Sequence, residues 1–344
     1  MSSRKTEGIV WSSTSLDDAQ GCLRRFFYRK VAGYEEVKVS PARAIGLMVH
    51  EAINKGYFLK WDASVAMDIV DQKAAEIKQQ WEVSDVDIAK AKAMVIGFYS
   101  HYGDPHHPLE PWMKDMKVIG TEMEWETEIV GKPFRGIFDV IGYDEKRKTH
   151  ILIDLKTTSM SDALEKGSTW WRVKGFSTQP IIYEEALRQV EDDVENIEIR
   201  YLVIATTKSK PSRKKPIRRK KAETDEEWAQ REEENRETIE DFQERMFKYF
   251  NEDSRFQDGI VTIGTSDKHI KLMEVKEIAC AAEGHLCSGN IPLETRALSW
   301  PRNPNECSRF GTCAFFDICT GVEELDTSAK LAKRKKREEQ ALPF

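Results

Sequence analysis

The run Ile151-Leu152-Ile153-Asp154-Leu155-Lys156 constrains this chain more than any other stretch. Three apolar residues followed by alternating charge read as a buried strand that runs out to a polar end. Successive side chains on a strand point to opposite faces, so Asp154 and Lys156 share one face while Leu155 enters a core. A carboxylate and an ammonium side by side at a strand end can hold a divalent ion and orient a water, which is what phosphodiester hydrolysis needs. Fifteen residues before Asp154, Gly136-Ile137-Phe138-Asp139 supplies a second carboxylate on another expected strand. Two acids and a lysine at this spacing point to nuclease chemistry.

The remaining chain can house such a strand in one large domain. Its 344 residues suffice for a sizeable core, and 40% hydrophobic with 33% charged residues excludes disordered and fibrous classes. No apolar stretch approaches the roughly 20 residues of a spanning helix, and residues 1–8 lack the apolar segment of a secretory signal. The expectation is therefore an intracellular, cytoplasmic protein of a bacterial or phage-infected cell, with no membrane partner. In that compartment six cysteines are thiols or metal ligands before they are disulfides. The net charge of −6 advertises no polyanion partner, so any nucleic acid must be drawn by local patches.

Periodicity divides the chain. Ser12 to Ser15 offer caps for a helix through Leu16–Tyr28, and Pro41 opens a second that runs to about Leu59. Stretches at about 63–82 and 86–102 carry apolar residues at three- and four-residue steps. From Lys117 the period shortens: Val118-Ile119, Met123 to Ile129, Gly136 to Gly142 and His150 to Leu155 read as consecutive strands, with turns at Gly131-Lys132-Pro133 and 144–148. A helix at about 178–190 and a strand at about 197–206 complete a mixed α/β sheet flanked by helices. The division expected is a helical part (1–115), a sheet core (116–206), a basic loop (207–222), a second helical part (223–299), a cysteine-rich segment (300–322) and a flexible basic tail (323–344).

Four short motifs stand in order along this frame: Gly46-x-x-x-His50, Gly136-x-x-Asp139, Asp154-x-Lys156 and Gln179-x-x-x-Tyr183. Together they resemble the RecB-like and AddB-like branch of the PD-(D/E)XK nuclease superfamily. The resemblance implies a restriction-endonuclease-like fold and a DNA nuclease, most simply an exonuclease of repair, recombination or phage DNA processing; the alternatives are an endonuclease, or a non-catalytic nucleic-acid-binding scaffold with an iron–sulfur or zinc clasp. It implies His50, Asp139, Asp154 and the carbonyl of Leu155 as ligands of Mg²⁺ or Mn²⁺, and Lys156 as the catalytic lysine. A His/Asp/Asp donor set suits these hard ions, Mn²⁺ being the more tolerant of an imidazole. Gln179 and Tyr183 share one helical face and, in the resembled family, border the site; ordinary helix packing is the plainer reading of that pair. Glu122, Glu124 and Glu126 alternate on one strand face; a solvated face is the first reading, and an approach of one of them to the metal site is the second. His101, His106 and His107 fall in a turn marked by Gly103, Pro105 and Pro108, which argues against a metal there.

Cys307, Cys313 and Cys319 recur at five-residue gaps, and Cys22 lies far upstream. The resembled nucleases include members with this one-plus-three arrangement around a [4Fe–4S] cluster, although two of their C-terminal cysteines stand closer in sequence. Zn²⁺ fits the same four sulfurs, and buried free thiols are the bland alternative. Cys280 and Cys287 read as incidental.

Nine Lys or Arg and no acid occupy 208–221, broken by Pro211 and Pro216, so no stable helix forms there. Lys208, Arg213, Lys214 and Lys215 can gain affinity for DNA by displacing counterions, or the segment is a solubilising loop. Arg24, Arg25 and Tyr28, with Trp170-Trp171-Arg172 and Lys174, pair cations with aromatic faces that suit unpaired bases; the tryptophans serve equally as core. No phosphate loop for unwinding occurs, so a helicase, a recombinase or a single-strand-binding protein is the expected kind of partner.

Overall fold

The computed structural model describes residues 9–38, 40–287, 293–309 and 312–333. Five strands form one mixed sheet in sequence order: β1 (Met116–Ile129), β2 (Lys132–Asp144), β3 (Thr149–Thr158), β4 (Asn196–Ala205) and β5 (Phe256–Ile260). All neighbours are antiparallel except β3 and β4, whose parallel pairing needs a crossover. The helix Thr178–Val190 lies in that crossover.

Helices cover both faces. On one side Pro41–Ala52, Ala63–Lys78, Asp85–Tyr102 and Ile239–Phe250 pack over Ile151, Ile153, Leu155 and Leu202. On the other, Thr178–Val190 and Thr265–Gly284 cover Leu152, Tyr201 and Val203, together with Trp11, Phe26 and Trp300. Local chemistry sets the helix starts: Ser40, Asp62 and Ser84 each cap a following helix by accepting a backbone N–H, and Pro41 occupies a first-turn position that needs no donor.

Several expectations shift. The first helix is not continuous: Ser13–Gly21 and Leu23–Phe26 are separated by Cys22 in an extended conformation. The first hairpin turns at Val130 and Gly131, with φ of 50° and 76°, so Lys132 and Pro133 already belong to β2. Strand β5 was not anticipated, because Phe256-Gln257-Asp258-Gly259-Ile260 is too polar to stand out. It is an edge strand, fastened by Arg200, whose Nη1 lies 2.8 Å from Asp258. The presumed tail is packed through Lys333: Leu325 and Leu331 are buried, and Leu331–Lys333 pairs with Tyr34–Glu36. Its basic block, 334–344, lies outside the described residues.

Candidate active site

The ladder between β2 and β3 stops at Val140↔Ile153, so the two strands diverge just before Asp154. The N–H of Leu155, left without a ladder partner, donates to Asp139 Oδ2 at 3.0 Å. A carboxylate thus replaces a carbonyl, and the divergence opens a polar cleft at the sheet end. Asp154, 3% exposed, and Lys156 emerge on one face of β3 with Lys156 Nζ 2.6 Å from Asp154 Oδ2.

Each side chain is aimed by a neighbour. Gln179 accepts from Lys156 Nζ at 2.8 Å and donates from Nε2 to Asp154 Oδ1 at 3.3 Å and to the Tyr183 hydroxyl at 3.1 Å. One amide therefore reads both charges of the Asp-x-Lys pair. Tyr183 is held edge-on by Trp125 and Phe138, and Lys156 lies 5.3 Å from the centre of the buried Tyr201 ring. His50 comes from the opposite helical layer, its Nδ1 3.7 Å from Asp139 Oδ2. The motif glycines have steric jobs: a Cβ at Gly136 would stand 2.4 Å from the Trp125 ring, and one at Gly46 3.1 Å from Thr157 Oγ1. Each lets a neighbouring element approach the site.

Electrostatics favour a cation here. Burial, then the charge of Asp154, raises the Asp139 carboxyl well above its ordinary range; the Leu155 N–H and Lys156 oppose this and Glu122 adds to it. Burial, then Lys156, pushes His50 down to about 4, although 30% of its side chain still faces the opening. An imidazole beside one buried and one half-buried carboxylate is a donor set for a hard divalent ion. As placed, no three His, Cys, Asp or Glu side chains among the described residues enclose an ion. Lys156 on Asp154 and Leu155 on Asp139 hold those oxygens instead.

One side chain at the cleft, Asn54, escaped sequence reasoning. Of the three alternating glutamates, Glu122 is half-buried, unlike the exposed Glu124 and Glu126, and accepts from Asn54 Nδ2. Asn54 stands four residues after His50 on the continuation of the same helix, a spacing that could have found it.

The aromatic and cationic residues separate into core and surface. Arg24 is buried, donating to the carbonyls of Trp300 at 2.9 Å and Leu298 at 3.2 Å. Tyr28 stacks on Phe315 at 5.1 Å, and Trp171 donates to the Ala163 carbonyl at 3.0 Å. These three are interior residues, which corrects their reading as nucleic-acid contacts: their polar groups are satisfied by protein. Arg25 is tied to Asp18 at 3.1 Å. Lys174 lies 4.6 Å over Trp170, near enough to the cleft that the charges of Lys156, Asp154 and Asp17 act on it. In the basic segment Arg213 pairs with Glu232 and Lys214 stands 3.9 Å from Asp241. Lys208 and Lys215 are exposed with no ion pair among the described residues.

The cysteines gather at a second corner. The Asn303 N–H donates to Cys22 Sγ at 3.4 Å, and Cys307 Sγ contacts the Asn303 carbonyl at 3.7 Å. Cys313 N–H donates to the Cys307 carbonyl at 2.8 Å. Burial raises the Cys313 and Cys319 thiols, and Cys313, Cys22 and Cys307 all bear on Cys319. The break at Cys22 turns its thiol toward this corner.

A fold with carboxylates at the divergence of two sheet strands and a lysine two residues on defines a class of metal-dependent phosphodiesterases. The family model of the PD-(D/E)XK nuclease superfamily matches residues 10–256, and the chain belongs to that superfamily. All four motifs fall inside the match; Cys307, Cys313 and Cys319 fall beyond it. The mixed sheet between helical layers is accordingly a restriction-endonuclease-like fold. No curated protein matches the chain.

Proposed function

We propose that this nuclease is a DNA exonuclease that uses Mg²⁺ or Mn²⁺, acting in repair, recombination or phage DNA processing within the cell. The observation that carries the reading is the Gln179 amide, which bonds Asp154, Lys156 and Tyr183 at once. Ordinary helix packing gives no reason for one side chain to organise an acid, a base and a phenol at a sheet end.

His50, Asp139, Asp154 and the Leu155 carbonyl would hold the ion, which when bound supplies charge stabilisation at the phosphate and a more acidic water. The chain's own residues do the rest. Gln179 fixes the Asp154 carboxylate and the Lys156 ammonium relative to each other. Lys156, once its contact with Asp154 is loosened, faces the cleft and can orient the attacking water or offset charge on the phosphate. Tyr183 keeps Gln179 in place and shields the cleft wall from water. Lys174, with Lys208 and Lys215 farther out, supplies positive charge along a backbone path.

Linear and circular DNA of one sequence, incubated with the protein and Mn²⁺, test the assignment. Loss of the linear form alone, abolished by Asp154→Asn, is the expected outcome. Cleavage of the closed circle makes the protein an endonuclease, and equal activity in the Asp154 variant defeats the site.

A second reading concerns the cysteine corner. We propose that Cys22, Cys307, Cys313 and Cys319 ligate a [4Fe–4S] cluster, with Zn²⁺ as the alternative, in a purely structural role. The observation in favour is that Cys22, from the far end of the chain, joins Cys307 and Cys313 within electrostatic range of Cys319. Iron, sulfide and zinc analysis of anaerobically purified protein, with its absorbance spectrum, decides among cluster, zinc and free thiols.

A further inference from the structure

Glu122 sits in β1 with φ of +52°, a left-handed backbone that a residue with a side chain rarely adopts inside a strand. The other non-glycine residues with positive φ, among those described, are Lys60, Val130, Lys148 and Asp193, which lie in turns or loops between elements. The β1–β2 register runs Thr121↔Val140 and then Met123↔Phe138, so the skipped pair is Glu122 opposite Asp139. Like charges directly across a ladder repel, and strain of this kind persists only where surroundings impose it.

The surroundings are specific. Asn54, fully buried, donates its Nδ2 to Glu122, while its Oδ1 is buried with no hydrogen-bond partner among the described residues. Asn54 lies on a wider π-type turn, Ile53–Tyr57, that continues the His50 helix; such turns concentrate at functional sites. A widened turn, a left-handed strand residue and an orphaned amide oxygen thus meet at one edge of the cleft. An orphaned buried acceptor is satisfied by a water or by a hydrated ion.

We propose that Glu122 is a third carboxylate for the divalent ion, beside Asp139 and Asp154, aimed by Asn54 across the strand divergence. This rests on the metal-dependent reading of the cleft and adds a residue to it. Standing opposite Asp139 in the register, Glu122 is half-buried with its carboxylate held by Asn54, whereas Glu124 and Glu126 are exposed. The Asn54 carbonyl oxygen then accepts a hydrogen bond from a water of the ion's shell.

The experiment is Mn²⁺ titration calorimetry on metal-free full-length protein: wild type, Glu122→Gln, Glu122→Gly and Asp154→Asn. Glycine accepts φ of +52° without strain, so Glu122→Gly separates backbone from carboxylate. The expected result is that both Glu122 variants bind Mn²⁺ at least about tenfold more weakly. The glycine variant should meanwhile melt no lower than wild type. Wild-type affinity in both Glu122 variants, with binding lost in Asp154→Asn, overturns this inference alone. Wild-type affinity in all three overturns the ion site itself.

Discussion

The cleft at the β2–β3 divergence and the cysteine corner both gather polar side chains from distant parts of the sequence, but they are assembled in opposite ways. In the cleft the acids and the lysine project from strands, and three of them are oriented by a side chain from a helical layer: Asp154 and Lys156 by Gln179, Glu122 by Asn54. At the corner the thiols sit on a helix break, on a loop and in the short helix Phe316–Thr320, positioned by backbone bonds such as Asn303 N–H to Cys22. The cleft holds Asp154 and Lys156 against each other at the sheet end, whereas at the corner burial raises the Cys313 and Cys319 thiols. An acid and a lysine side by side suit chemistry, and thiols drawn from two distant chain segments suit fastening once a metal deprotonates them.

Substitutions can break or sharpen this contrast. The largest effect belongs to Lys156→Ala and Asp154→Asn, expected to lower DNA hydrolysis about a thousandfold or more with circular dichroism unchanged. Next, Cys22→Ser or Cys313→Ser should do the reverse: a lower melting temperature, by several degrees or more if a cluster or zinc is bound, with turnover per folded molecule retained. Equal losses of turnover in the two sets would erase the distinction.

Asp139→Asn sharpens it further, because activity and stability should part company. Burial and Asp154 raise Asp139, so its protonated form favours the metal-free fold; that contribution is present below the ordinary carboxylate range and lost as pH rises through the raised value. Asparagine removes the penalty, so at neutral pH the metal-free variant should melt a few degrees higher while hydrolysis is lost. His50 runs the other way: lowered to about 4, it destabilises the fold as pH falls below its ordinary 6.5. Melting curves of Asp139→Asn and His50→Asn from pH 4 to 8 should therefore diverge from wild type at opposite ends. The smallest effect is Lys215→Ala, which should reduce the salt slope of DNA binding by about one and leave melting unchanged.

Much of the fold was legible because the apolar period switches cleanly near Lys117 and because the Ile151–Ile153 run admits only a buried strand. Strand β5 was not, since an edge strand held by Arg200–Asp258 carries no apolar alternation. At the cleft, Asp139, Asp154, Lys156 and Gln179 were readable from spacing. Glu122 was legible only as one of three alternating glutamates, because period-two reasoning puts all three on one face and the left-handed residue that singles one out leaves no mark in the sequence. Arg24 and Tyr28 misled for a related reason: a cation beside an aromatic looks the same in sequence whether it faces solvent or, like Arg24, serves the carbonyls of Leu298 and Trp300.

The packing of Trp11, Phe26 and Phe27 with Trp300, Phe315 and Leu331 has a consequence for biosynthesis. Trp11 can dock early, since it bridges to Phe134 in the second strand of the sheet. Phe26 and Phe27 lie against Trp300, so that side of them stays uncovered until a much later segment has left the ribosome. Ribosome-bound intermediates that already hold the central sheet should therefore expose Phe26 and Phe27, rather than Trp11, to chaperones and to protease.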